Sequence, residues 1–292
     1  MRSDYIGVHV YDGLMNASTL AVSIITHKRS NLLDLCLQSL SAAMSEKRYP
    51  IYIVIQDADS EDLAVLKKYG DLVTDIIHVD NNDKNVEDLI NNNRIIAWEI
   101  PLLKQQHQYV ICLEDDVEVS PDIFEFTQQV LSENSNSRNF WGINYGSFEK
   151  PDELGTYSKL HYGLHGPASL IGRQSIKKFK LNKLKKFKGK IPWDAWVEPL
   201  VKTGFMATSN VSRYRDNGHS GTHASMNNDS NYFKKVNESF AHGIAGGSRN
   251  YYNSDIEHQW RADCRIYSKK GKFKGHLRFI LIRLYQIFNA RF

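Results

Sequence analysis

Tyr109-Val-Ile-Cys-Leu-Glu-Asp-Asp-Val-Glu-Val-Ser-Pro-Asp122 decides how the chain is read. Tyr109 to Leu113 is an apolar run of the length expected for a buried strand. It ends abruptly in Glu114, Asp115 and Asp116. Ser120, Pro121 and Asp122 then read as the N-cap, N1 and first-turn positions of a helix. Three acids at the carboxyl end of a buried strand repel one another and call for a counter-charge. In open α/β sheets that end is also where ligands bind. Oxygen donors suit hard cations such as Mn²⁺ or Mg²⁺, which in turn bind diphosphate oxygens. Two readings stay open at this point: a metal–diphosphate site, or a solvated acidic turn at a helix start.

Outward from this stretch, the first half of the chain alternates short apolar runs with helical spacing. Leu20 to Thr26 predicts a buried strand, followed by a helix carrying Leu32, Leu33, Leu35, Cys36, Leu37 and Leu40. Tyr49 to Ile55 predicts a second strand, with a helix from about Ser60 to Tyr69. Val73 to Val79 predicts a third strand, and a long helix then runs from about Val86 to Gln106, with Pro101 as the place for a kink. Strands and helices alternating at these lengths predict a mostly parallel, doubly wound sheet. Arg29 follows the first strand and Asp57 the second, so a parallel sheet places both beside the acidic triplet. Taken singly each is a loop charge. Together they suit a nucleotide with its diphosphate.

Composition bounds the rest. The 292 residues are 41% hydrophobic and 24% charged, which is ordinary for a globular protein and enough for one large α/β core. Cys36, Cys112 and Cys264 are far apart and form no CxxC pair, which points to buried free thiols in a reducing compartment. No apolar run approaches membrane-spanning length, and the N-terminus lacks a signal-peptide pattern, so the expectation is a cytoplasmic protein. The net charge of +4 is unevenly distributed. Residues 269–292 hold seven Lys/Arg and no acid; without them 30 basic residues face 33 acidic ones. A second run, Lys177 to Lys190, has eight lysines and no acid. No aromatic platform or nucleic-acid motif accompanies either run, so nucleic acid is not the expected partner.

Three segments in order, Val22-Ser-Ile-Ile-Thr-His-Lys-Arg-Ser30, Ile53-Val-Ile-Gln-Asp57 with Lys68-Tyr-Gly70, and Leu113 to Asp122, resemble the N-acetylglucosaminyltransferase I family. Trp193-Asp-Ala-Trp196 and Asn210-Val-Ser-Arg213, followed by Gly218 and Gly221, extend the resemblance over roughly residues 20–226. It implies an inverting glycosyltransferase of GT-A fold using a UDP-sugar, UDP-GlcNAc or a relative, with Mn²⁺ or Mg²⁺ as cofactor. By position it implies that Asp116 ligates the metal, Asp115 approaches the donor ribose or sugar, and Glu114 supports the nucleotide side. Arg29 and Asp57 would hold the nucleotide, Asp57 by accepting from the uracil ring. The pattern departs at Ile95, an apolar residue at a polar nucleotide-contacting place of the family. The family's membrane stalk is also missing, so the acceptor expected is a glycan or lipid-linked saccharide.

The second half reads as the acceptor side, with Phe140 to Tyr145 as a strand. Asp194 stands between Trp193 and Trp196 at a helix start. Apolar neighbours would shield it from water and strengthen it as a general base; a plain helix-start acid is the alternative. Glu198, Asp216 and Glu153 are substitute bases. Residues 216–231 are rich in Gly, Ser, Asn and His and suit a ligand-ordered lid, in which His219 and His223 could reach the diphosphate; a permanently disordered loop is the alternative. His161 and His165 read as polar loop residues. From Gly275 onward, Leu277, Ile280, Leu281, Leu284, Ile287 and Phe288 gather on one side of a helix opposite basic residues. A basic amphipathic helix of this kind suits an anionic membrane surface, and packing on the protein itself is the alternative.

The resulting expectation is one GT-A domain over residues 1–268, with a donor half of about 20–120 and an acceptor half of about 121–268. A basic tail of 269–292 would hold it at the inner face of a membrane. A sugar nucleotidyltransferase and a non-catalytic sugar-nucleotide or glycan-binding module are the alternatives. The first is disfavoured because no Gly-rich triphosphate loop follows Thr26. The second is disfavoured by the Trp-Asp-Ala-Trp segment.

Overall fold

The computed structural model describes residues 19–44, 47–79, 85–147, 157–160, 164, 166–184, 193–201, 203–218, 236–238, 240 and 253–254. The expectations for Glu153, His161, His165, His219, the lid beyond Gly218 and the tail of 269–292 lie outside these residues. Four strands form the parallel heart of the sheet: β1 (Leu20–Thr26), β2 (Ile51–Gln56), β3 (Asp75–Val79) and β4 (Tyr109–Glu114). Helices α1 (Ser30–Met44), α2 (Ser60–Lys68) and α3 (Val86–Glu99) connect them. The chain then adds β5 (Val117–Val119), α4 (Ile123–Asn134), β6 (Phe140–Asn144), β7 (Tyr157–Leu160) and β8 (Ala168–Gly172). It continues with α5 (Arg173–Phe179), α6 (Leu181–Leu184), α7 (Trp193–Val201), β9 (Phe205–Ser209), β10 (Tyr214–Asp216) and β11 (Asn253–Ser254).

The main sheet has the order β11-β7-β9-β6-β8-β4-β1-β2-β3, and β5 with β10 forms a separate ribbon. The sheet is mixed: β8 runs antiparallel to both β4 and β6, which places second-half residues inside it rather than beside it. Alternation along β1 explains the layering, because successive side chains of a strand face opposite ways. Leu20, Val22 and Ile24 pack in one core with Leu33 and Leu37 of α1 and Phe126 and Val130 of α4. Ala21 faces the other core, with Val54, Ile95 and Trp98 of α3, Phe179 of α5 and Trp196 of α7. Gly142 is required where β6 meets β8, since a β-carbon there would lie 2.0 Å from the Leu170 carbonyl oxygen.

Three local expectations are corrected. The long helix ends at Glu99, and Ile100–Lys104 forms a π-helical turn with Pro101 near its start, because proline cannot donate into the preceding ladder. Helix α4 starts at Ile123 with Asp122 at its N-cap position, and Ser120 donates to Asp122 Oδ1 at 2.7 Å instead of capping the helix. Between the acids and that helix lies the unexpected β5, held because Ser120 N donates to the Arg213 carbonyl oxygen at 2.9 Å.

Candidate functional site

The carboxyl ends of β1, β2 and β4 meet where a ligand would bind in a parallel sheet. Two residues here take left-handed backbone, Lys28 (φ 51°) after β1 and Asp57 (φ 47°) after β2. Non-glycine residues hold such conformations at a cost, and the surrounding structure must impose them. The turn at Lys28 brings Arg29 back over the strand end. Its Nη1 donates to Asp116 Oδ2 at 2.8 Å, its Nε to Asp115 Oδ2 at 3.1 Å, and its Nη2 pairs with Asp115 Oδ1. Thr26 Oγ1 adds a donor to Asp115 at 2.7 Å. Asp57 faces His27, with Oδ2 3.8 Å from Nε2.

Glu114 turns the other way. It pairs with Arg94 Nη2 of α3 at 2.5 Å, while Arg94 Nη1 donates to Cys112 Sγ at 3.0 Å. The Arg94 guanidinium lies 4.8 Å from the Trp193 ring centre, and Trp193 N donates to Asn91 Oδ1 at 2.9 Å. A β-carbon on Gly166 would touch both Glu114 and Trp193 at 3.7 Å, so the first turn of α7 stands beside the acidic strand end. Ile95, the point of departure from the family pattern, is fully buried in the core, and its neighbour Arg94 is the residue that reaches the site.

Asp194 follows Trp193 and is exposed, its Oδ1 accepting from Ala195 N at 2.7 Å. The shielding expected from its tryptophan neighbours is absent, because both indoles turn into the core and leave the carboxylate facing out. Asn210-Val-Ser-Arg213 supports architecture: Arg213 Nε lies 3.3 Å from Asp122 Oδ2, and its guanidinium stacks 4.6 Å from the Phe126 ring centre. This clamp carries the chain into β10, whose Asp216 lies opposite Val117. Asn217 N then donates to the Asp116 carbonyl oxygen at 2.9 Å. Asp216 thus joins the acidic group across roughly a hundred residues of sequence. Its spacing carried no signal, and only its acidity made it a substitute base.

Charge in the site does not balance among the described residues. Four carboxyl groups, Glu114, Asp115, Asp116 and Asp216, face two guanidiniums, Arg29 and Arg94. Burial pushes Asp115 from 3.8 up to about 7, against the pull of Arg29 and with the push of Asp116. Burial and then Asp116 push Asp216 to about 7 as well. Arg29 is raised: burial alone would lower it, but Asp115 and then Asp116 more than offset that. The folded chain therefore holds the Asp115 and Asp216 protons more tightly than the unfolded chain. Their contribution to stability is fully present below the ordinary carboxyl value of 3.8 and is lost as pH rises through about 7. Without divalent cations the protein is expected to melt at a lower temperature at about pH 8 than at about pH 5. Asp216→Asn should flatten that dependence, as scanning calorimetry would show; an unchanged slope would mean that Asp216 is ionised in the fold.

A divalent cation fits this arrangement. Asp116 Oδ1 is buried without a partner among the described residues, in a residue only 7% exposed. Among the described residues no group of three or more His, Cys, Asp or Glu surrounds one point, so further donors would have to come from outside them, bound substrate included.

Residues 10–145 match the sequence profile of the GNT-I family. No curated protein matches the chain by sequence. Among solved structures, residues 1–349 of S. aureus TarS superpose with a TM-score of 0.51 at 12% identity, covering 90% of this chain and 78% of that one. The chain spans only 36% of the longer TarS structure, at 13% identity, 67% of this chain and a TM-score of 0.47. The mannosyltransferase PcManGT from Pyrobaculum calidifontis, in complex with GDP-Man and Mn²⁺, gives 0.44 at 11% identity, covering 79% of this chain and 76% of that one. A cytidylyltransferase from Leptospira borgpetersenii gives 0.37 at 11% identity, covering 59% and 68%. Among the described residues no helix is long and apolar enough to cross a membrane. The strand ends that build the site thus lie in the segment matched to the GNT-I family, and the chain has a GT-A-like α/β fold shared with TarS 1–349.

Proposed function

We propose that the chain transfers a sugar, GlcNAc or a relative, from UDP to a hydroxyl of a glycan or lipid-linked saccharide, with inversion and with a divalent cation. The observation that carries this reading is Asp116 Oδ1, buried at the end of the central strand and unpartnered among the described residues. Asp116 would hold the cation, Mn²⁺ or Mg²⁺. When bound, it offsets the negative charge that develops on the departing diphosphate. Asp57, held in left-handed backbone beside His27, would accept from the uracil ring. Asp115 would face the ribose or donor sugar, and Arg29 would orient both aspartates. Glu114, fixed by Arg94, would support the nucleotide side.

Asp194 would take the proton of the acceptor hydroxyl as its oxygen attacks the anomeric carbon from the side opposite UDP. The bond from that carbon to the diphosphate oxygen breaks, and UDP leaves with the electron pair. Acceptor binding would bring the desolvation that Asp194 lacks in the free protein. The test is calorimetric titration of UDP-sugars with and without Mn²⁺. Asp116→Ala is expected to abolish the Mn²⁺-dependent part of the affinity while leaving the far-ultraviolet dichroism unchanged. Equal cation-assisted binding by the variant would exclude Asp116 as the ligand.

A further inference from the structure

The β5–β10 ribbon closes over the acidic strand end and brings one more carboxylate with it. The main chain of Asp216 is held on both sides by one side chain. Its N donates to Asn237 Oδ1 at 2.9 Å, and its carbonyl oxygen accepts from Asn237 Nδ2 at 3.0 Å. Asp216 Oδ1 accepts from Gly218 N at 2.9 Å, which orients the carboxylate. A β-carbon on Gly218 would lie 2.5 Å from Asp116 Oδ2 and 3.1 Å from Asp216 Oδ1. Two aspartates, 7% and 3% exposed, therefore pack against the same glycine, so closely that any side chain at residue 218 would collide with Asp116. Arg29 occupies Asp116 Oδ2 but not Oδ1, which stays buried and unpartnered among the described residues. Buried carboxylates packed on one residue repel one another unless a positive group offsets them.

We propose that Asp216 is the second protein carboxylate to ligate the divalent cation, completing with Asp116 a site that β4 begins and β10 closes. The inference rests on the reading of Asp116 given above. It assigns cation affinity to both halves of the chain, since Asp116 comes from one and Asp216 from the other. It also gives the ribbon a function: the pairing of Asp216 with Val117 sets the distance between the two ligands.

The experiment counts free Mn²⁺ by electron paramagnetic resonance in the presence of the full chain, with and without UDP. Asp216→Asn keeps the shape and an acceptor for Gly218 N but removes the charge. It is expected to weaken Mn²⁺ binding at least about tenfold, a scale reached even by groups that only support metal ligands. Asp216→Cys is expected to shift preference from Mn²⁺ towards Cd²⁺ relative to the parent, since thiolate favours softer metals. A residue that merely stabilises the ribbon would not produce that shift. If Asp116→Asn loses Mn²⁺ while Asp216→Asn binds as tightly as the parent and Asp216→Cys gains nothing for Cd²⁺, the inference is overturned. If the parent itself binds no Mn²⁺ with or without UDP, the cation reading of Asp116 falls together with it.

Discussion

Asp194→Asn is expected to slow sugar transfer at least about a hundredfold while UDP-sugar affinity stays near that of the parent. The asymmetry follows from timing. The acceptor proton leaves only as its oxygen attacks, so a base contributes to the transition state and hardly to donor binding. General bases typically contribute 10²–10⁴-fold, or roughly 3–5 kcal/mol of barrier. Asparagine keeps the shape and the oxygen that accepts from Ala195 N, and the two indoles that anchor α7 are buried away from the substitution. A loss of transfer would therefore report lost basicity rather than a disturbed helix. Single-turnover rates and calorimetry separate the two quantities. Transfer at the parent rate would make Asp194 a helix-start acid and move the search for the base to Glu198 and Glu153.

Arg29→Met should be the most destabilising change in the site. It removes the guanidinium that touches both Asp115 and Asp116 and leaves a fully buried carboxylate with Thr26 Oγ1 and His27 N as its remaining donors among the described residues. Breaking a buried ion pair from one side costs about 3–5 kcal/mol, and Arg29 keeps a third of its side-chain surface, which argues for the lower end. A loss of about 3 kcal/mol corresponds to roughly 6–12 °C in melting temperature for a chain of this size. The effect should shrink as pH falls below 7, because protonated Asp115 no longer needs the partner. Melting curves at two pH values check this. Identical losses at both would mean that the arginine acts by packing alone.

Much of the donor half was legible because its strands are short apolar runs and its helices carry apolar residues at helical spacing. Leu20–Thr26, Ile51–Gln56 and Tyr109–Glu114 emerged within a residue or two of their expected limits. The parts that were not legible depend on distant partners. β5 is only three residues long and is recognisable only by its pairing with β10. The insertion of β8 between β4 and β6 has no local signature, since an apolar strand reads alike in parallel and antiparallel settings. The same holds for the site. Asp115, Asp116, Arg29 and Asp57 lie at strand ends, where position alone suggested a role. Arg94 was not legible because an arginine within a helix reads as solvent-facing, and only the packed fold turns it towards Glu114. Asp194 was placed correctly on a helix start, but the direction in which Trp193 and Trp196 point is a property of the assembled core.

The position of β8 also matters while the chain is being made. Strand β4 ends at residue 114, but the strand that covers its free edge is not complete until residue 172. At synthesis rates of about 5–20 residues per second, that edge stays open for roughly 3 to 12 seconds after β4 has emerged. An unpaired apolar edge is a template for pairing with other chains. The residues that fill this interval include α4, whose Phe126 and Val130 pack on the core beneath the sheet. The segment that matches the GNT-I family, 10–145, stops before β8. It therefore contains β4 and β6 without the strand that joins them, and cannot by itself complete the sheet on which its own acidic site depends.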